Sequence, residues 1–207
     1  TDMTRFVQPT ANFLPSVGAY LFLPLRFTSE FPFIGMTPIA FREWGYYELM
    51  AGGLFATCPL LLLALAAPFL RRRMHRSGYW GLATCSLALA VLLAVFDSHT
   101  AGLGWRYICD FGWMMAIAAL APMLYLMHPD GDAIVASAPD PSERNEPRRD
   151  VTKRHPMVLA CVRGLVVAAL MASIILAVLA CFIPGRDDSL INNNPVLYDT
   201  VVAWFRL

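Results

Sequence analysis

Residue types capable of chemistry gather in two short stretches of an otherwise apolar chain. The first holds Asp97, Ser98 and His99, followed by Trp105, Arg106, Tyr107 and Asp110. Arg106 and Asp110 are four apart, so on a helix they share a face and can pair. Two readings of that spacing stay open. One is a structural ion pair that anchors the top of a helix. The other makes Arg106 the binder of an anionic headgroup or pyrophosphate, because its planar fork of donors suits phosphate. Asp97 and His99 have the makings of a general acid–base couple or of half a metal site. Two ligands are too few for a metal centre, and a histidine near a helix end is ordinarily a polar loop residue. The second stretch sets Glu43 and Glu48 beside Trp44, Tyr46 and Tyr47. Carboxylates next to aromatic rings bind sugars or cations. They also mark where a helix meets lipid headgroups, and helix N-termini favour Glu in any case.

Other chemistries find no footing. The sequence has no Walker loop, no H-E-x-x-H, no G-x-S-x-G and no N-x-[ST] sequon. Asp130-Gly131-Asp132 lacks the further oxygen ligands of a calcium loop. Five cysteines (Cys58, Cys85, Cys109, Cys161, Cys181) lie in apolar runs with no C-x-x-C pair, and read as small buried hydrophobes. The reading therefore implies no cofactor and no metal.

The elements that must position these residues follow from composition. The 207 residues are 57% hydrophobic and 15% charged, with a mean hydropathy of +0.54. A soluble domain is roughly 45–50% apolar and about 25% charged. The balance excludes a disordered chain and an ordinary soluble enzyme and points to an integral membrane protein. The net charge of +1 offers no basic field, so nucleic acid is not an implied partner.

A spanning helix needs about 20 apolar residues, since each adds about 1.5 Å across a hydrocarbon core of about 30 Å. Four segments qualify: residues 48–70, 79–97, 105–127 and 157–183, the last stopped by Pro184-Gly185. None alternates as a barrel strand would, so the expected fold is an all-α, polytopic integral membrane protein. Pro59, Pro68 and Pro122 are expected to kink the first and third spans. Arg163 lies about two turns inside the fourth span and can snorkel back to its end. Ala160/Gly164, Ala168/Ala172 and Ala169/Ser173 give that span small-residue pairs for close packing.

Charge placement sets the orientation. The links after the first and third spans carry Arg71, Arg72, Arg73 and Arg76, and Arg144, Arg148, Arg149, Lys153 and Arg154: nine of the 16 basic residues. Residues 98–104 carry none. The positive-inside rule then puts 71–78 and 128–156 in the cytoplasm of a plasma-membrane protein, and the 184–207 tail outside. The 128–156 link, rich in Pro, Asp, Glu, Ser and Arg, reads as a flexible loop, whose 148–154 end suits anionic headgroups. Residues 1–47 hold 11 of the 25 aromatic residues, and their apolar run, 13–25, is short and interrupted by Pro15 and Pro24. They read as an outer-face interfacial or re-entrant segment. The chain starts at Thr1 with no basic run before its first apolar stretch, and reads as the later part of a longer protein.

Three passages, FTSEFPFIGMTPIAF, WGYYELMAGGLFATCPLLLLAL and GWRYICDFGWMMAIAAL, resemble the C-terminal part of large bacterial polytopic membrane proteins over about residues 10–127. In those proteins an RY-x-x-DF motif opens a late transmembrane helix; here it is Arg106, Tyr107, Asp110 and Phe111. The family is described as glycosyltransferase-like, with the multi-span plan of lipid-sugar-using (GT-C) enzymes. The resemblance implies a catalytic carboxylate in an early outer loop upstream of Thr1, and a role for the Arg106 region in shaping an outer-face lipid or sugar site. The expected function is the C-terminal membrane region of a cell-envelope protein, with membrane lipids and a polyprenyl-phosphate-linked sugar as partners. A transporter or flippase component and a non-catalytic scaffold are the alternatives.

Overall fold

The computed structural model describes residues 10–39, 48–70, 79–127, 156–185 and 189–205. The expected 71–78 and 128–156 links, apart from Pro156, therefore lie outside the described residues, as does Glu43. The chain is mostly helical. Its long helices are α3 (Tyr79–Thr100), α4 (Ile108–Met127) and α5 (Pro156–Ala180). Among the described residues, three segments are long and apolar enough to cross a membrane: Tyr79–Thr100, Trp105–Met127 and Ala160–Ala180. The protein is thus a multi-span membrane protein.

α3 and α4 form an antiparallel pair, joined by residues 101–107, and make the most extensive helix contact in the molecule. The buried face of α3 is Ala83, Ser86, Ala90, Ala94 and Asp97, nearly all small, at helical spacing. Small residues let the backbones approach, which is how apolar helices associate without a hydrophobic driving force. α4 answers with Phe111, Met115, Ala118 and Pro122. On α5 the buried stripe is Val166, Ser173 and Ala180. Of the expected small pairs only Ala169/Ser173 packs, because Gly164 meets open space and Ala168 is exposed. Arg163 does not merely snorkel: its Nε donates to the carbonyl of Leu126 at 3.0 Å, capping the last turn of α4.

The expected helical span over 48–70 is not a continuous helix. A single turn, α2 (Leu54–Thr57), ends at Cys58 (φ −134°, ψ 76°), and Pro59–Ala66 forms a 3₁₀ stretch. Pro59 has no N–H to continue α2. Burial along the stretch repeats every three residues: Leu61, Ala64 and Ala67 are buried, while Leu62 and Leu65 are exposed. That is the 3₁₀ period, with i and i+3 eclipsed. The Leu60 N–H donates to Ser173 Oγ at 3.1 Å, and Ser173 donates in turn to the Ala169 carbonyl. Irregular backbone at membrane depth is tolerated only where such protein contacts satisfy it.

The segment expected to lie on the membrane is more structured than an apolar stripe. α1 (Thr10–Phe22) is 13 residues, about 20 Å, too short to span. It packs on α3 and α2. Its end crosses Gly53, where a Cβ would come within 2.5 Å of the Leu23 nitrogen. A two-residue hairpin follows, β1 (Arg26–Phe27) antiparallel to β2 (Ile34–Gly35), with Arg26 opposite Gly35 and Phe27 opposite Ile34. Two short helices close the chain, α6 (Leu190–Asn193) and α7 (Pro195–Phe205). The cysteines also differ from expectation: Cys85, Cys109 and Cys161 are exposed on helix surfaces, Cys181 is exposed in the turn after α5, and Cys58 is half-buried, all of them free.

Candidate functional site

The turn between α3 and α4 would leave the first amides of the second helix unpaired. Gly104 occupies the cap position and has no side chain to offer. Glu48 supplies the cap from elsewhere in the chain. Its Oε2 accepts the Trp105 N–H at 3.2 Å, and its own N–H donates to the Leu103 carbonyl at 2.7 Å. A carboxylate there also suits the positive end of the helix dipole. Its other oxygen, Oε1, lies 2.8 Å from Arg106 Nη2. A Cβ on Gly104 would stand 2.8 Å from the Tyr107 ring and 3.1 Å from Glu48 Oε2, so glycine is required there for packing.

Tyr20 closes the turn from the other side. Fully buried at the core, its hydroxyl donates to the Gly102 carbonyl (2.8 Å) and accepts from the Gly104 N–H (2.9 Å). Its ring meets Phe111 edge-on at 5.5 Å. Burial pushes the hydroxyl pKa well above the usual tyrosine value. The Gly104 N–H partly offsets this, and the charges of Asp97 and Glu48 add to the rise. Gly102 itself takes a φ of 86°, a conformation that favours glycine.

The structure therefore brings together Glu48, Arg106 and Tyr107, with Tyr20 behind them. The Arg106 guanidinium sits 5.7 Å from the centre of the Tyr107 ring, within cation–π range, and its side chain is 66% exposed against 34% for Glu48. The spacing argument expected Arg106 to pair along its helix with Asp110; the ion pair found is with Glu48, 58 residues away in sequence. Arg106 lies in a 3₁₀ turn (Trp105–Tyr107) that precedes α4, so α-helical spacing does not govern its reach. Asp110 is exposed in the first turn of α4.

Asp97 and His99 do not form a couple. Two positions apart on a helix is about 200°, and they face opposite ways. Asp97 is buried at the end of α3, its carbonyl accepting the Ala101 and Gly102 N–H groups and its Oδ2 lacking a hydrogen-bond partner. His99 is exposed and meets Phe13 edge-on at 6.0 Å. It stands at an open groove of about 570 Å³ whose other walls, Phe13, Leu92, Leu93, Val95 and Phe96, are apolar.

Sequence reasoning missed Tyr20. Its signal was a hydroxyl within an apolar run, which needs a partner when buried. Among the described residues, no group of three or more His, Cys, Asp or Glu could hold a metal. Compared with known proteins, the chain matches no family model, no curated protein and no solved structure.

Proposed function

We propose that the chain is the later membrane region of a bacterial cell-envelope protein, and that the Arg106 site binds the phosphate of a lipid-linked substrate at the outer membrane surface. One observation carries this reading. An exposed arginine is held at the end of two apolar, membrane-length helices by a carboxylate that also caps the turn. Ionisable groups at that boundary are costly unless wet, paired or used, and a guanidinium with its plane fixed is suited to phosphate oxygens. The resemblance of the RY-x-x-DF passage to glycosyltransferase-like proteins suggests a polyprenyl-phosphate sugar as the ligand. Any catalytic carboxylate then lies outside these residues. Arg106 binds, Glu48 and Tyr20 position, and Tyr107 walls the site; Asp97, Asp110, His99 and Glu43 remain candidate contacts for the sugar or lipid.

The test is binding of a polyprenyl phosphate to the full chain in lipid nanodiscs, read by native mass spectrometry. A charge-assisted hydrogen bond is worth about 1.5–3 kcal/mol, so Arg106→Gln should weaken binding roughly tenfold or more. Arg106→Lys should recover part of it. Unchanged affinity in Arg106→Gln overturns the reading. The Glu48–Arg106 clamp equally supports a second reading, a non-catalytic scaffold whose turn the pair merely fastens. In that case Arg106→Gln lowers protein abundance and leaves lipid-phosphate binding per molecule intact.

A further inference from the structure

α7 has two apolar faces, and the fold uses only one. Asn194 starts the helix, its Oδ1 accepting the Leu197 N–H at 3.1 Å, with Pro195 at the first helical position. The inner face then docks on an aromatic cluster at the end of α5. Phe205 stacks on Phe31 at 4.5 Å and 10°, and Tyr198 lies 6.3 Å from Phe182. The Leu190 N–H, donating to the Cys181 carbonyl at 3.0 Å, ties the preceding turn back to the same place.

The other face holds Val196, Leu197, Thr200 and Trp204, which fall within about 100° of arc on an α-helix. Val196 is 75% and Trp204 72% exposed. Thr200 adds no polar demand, since its hydroxyl donates to the Val196 carbonyl at 2.7 Å. Asp199, the one charged residue of the helix, points off the stripe.

We infer that α7 is an interfacial helix whose Val196/Leu197/Thr200/Trp204 stripe is embedded in the headgroup–acyl boundary of the bilayer, at the end where α5 leaves it. The occupant follows from continuity. The exposed side of α5 is an unbroken apolar belt through Met171, Ile175 and Val178, and α7 is fastened just past the last turn of that helix. A stripe at that level meets the zone where tryptophan concentrates, with its apolar face about 5–10 Å below the headgroups. The Phe31–Phe205 stack then secures the β1–β2 hairpin to the membrane surface.

The inference rests on α5 crossing the membrane, and the test separates the two. Nitroxide labels are placed singly at V196C, T200C, D199C and, as reference, I174C in the full chain with its five native cysteines replaced by alanine, in phosphatidylcholine vesicles. The V196C and T200C labels should collide with dissolved oxygen and be shielded from a water-soluble nickel chelate, as I174C is; D199C should show the reverse. Nickel access at V196C and T200C equal to that at D199C overturns the inference, and so does exclusion of both relaxants, which means that protein covers the stripe. An I174C label open to nickel brings down the membrane crossing itself. With native cysteines kept, lipids brominated near the headgroup should quench tryptophan emission less in Trp204→Phe than in the wild type. Equal quenching in the two also overturns it.

Discussion

Tyr20 and Glu48 together do for the 101–107 turn what a capping side chain does for a simpler helix. Between them they satisfy Gly102, Leu103, Gly104 and Trp105 without any side chain from the turn itself. Tyr20→Phe keeps the ring against Phe111 but leaves a buried carbonyl and a buried amide unpaired. It should cost about 1–3 kcal/mol, read by thermal unfolding in detergent. The same residue predicts a pH dependence. Its raised pKa means that the folded state holds the hydroxyl proton more tightly than the unfolded chain does. That contribution is fully present below the unfolded value of about 10 and is lost as pH rises beyond it. The stability gap between wild type and Tyr20→Phe should therefore stay constant from pH 7 to about 10 and shrink above that. A gap that changes below pH 9 contradicts the assignment. At this scale the sequence disclosed which residue types mattered and not how they pair. Glu48 and Arg106 were both legible as candidates, but their union depends on a return of the chain across 58 residues, which no local spacing encodes.

The 3₁₀ stretch is the element in which uniform apolarity concealed most. Residues 59–66, PLLLLALA, present no polar position from which a period could be read, so length alone favoured a helix. Pro59 did mark the break, and packing set the rest: Leu61, Ala64 and Ala67 turn inward together, and Ser173 takes up the Leu60 amide. The long helices were legible because each is a separate apolar run bounded by charge or by Pro-Gly; α7 was not, because its 11 residues sit in a polar tail and dock through aromatic partners far away in sequence. The period-three packing can be tested directly. Ala64→Leu and Ala67→Leu should each destabilise by about 1–3 kcal/mol through overpacking, while Leu62→Ala and Leu65→Ala stay within about 0.5 kcal/mol of wild type where they face lipid. A large cost at Leu65 with little at Ala67 in thermal unfolding would point to an α-helical register instead, since Leu65 rather than Ala67 then shares the face of Leu61 and Ala64.

For the whole molecule, the broken segment decides how many times the chain passes from end to end. Glu48 is bonded at the turn where α3 finishes, and Tyr79 stands where α3 begins, about 33 Å away for 22 residues. The chain thus stands at one end of α3 at Glu48 and at the other by Tyr79, and no continuous helix runs through the described residues 48–70. Counted with the three membrane-length helices, such a passage gives the parity that the positive-inside rule predicts from the sequence, with Arg71, Arg72, Arg73 and Arg76 expected on the same side as Arg148, Arg149, Lys153 and Arg154. A segment that dips in and returns would instead leave 71–78 on the side of Glu48. Single cysteines at His75, Ser142 and Ala101, in a background without the five native ones, distinguish the two in intact cells. A membrane-impermeant maleimide should label A101C from outside and spare H75C and S142C until the cells are permeabilised. Labelling of H75C from outside would reverse the passage. Labelling of S142C would reverse the orientation, and the Arg106 site would then face the cytoplasm, where an outward lipid-linked sugar could not reach it.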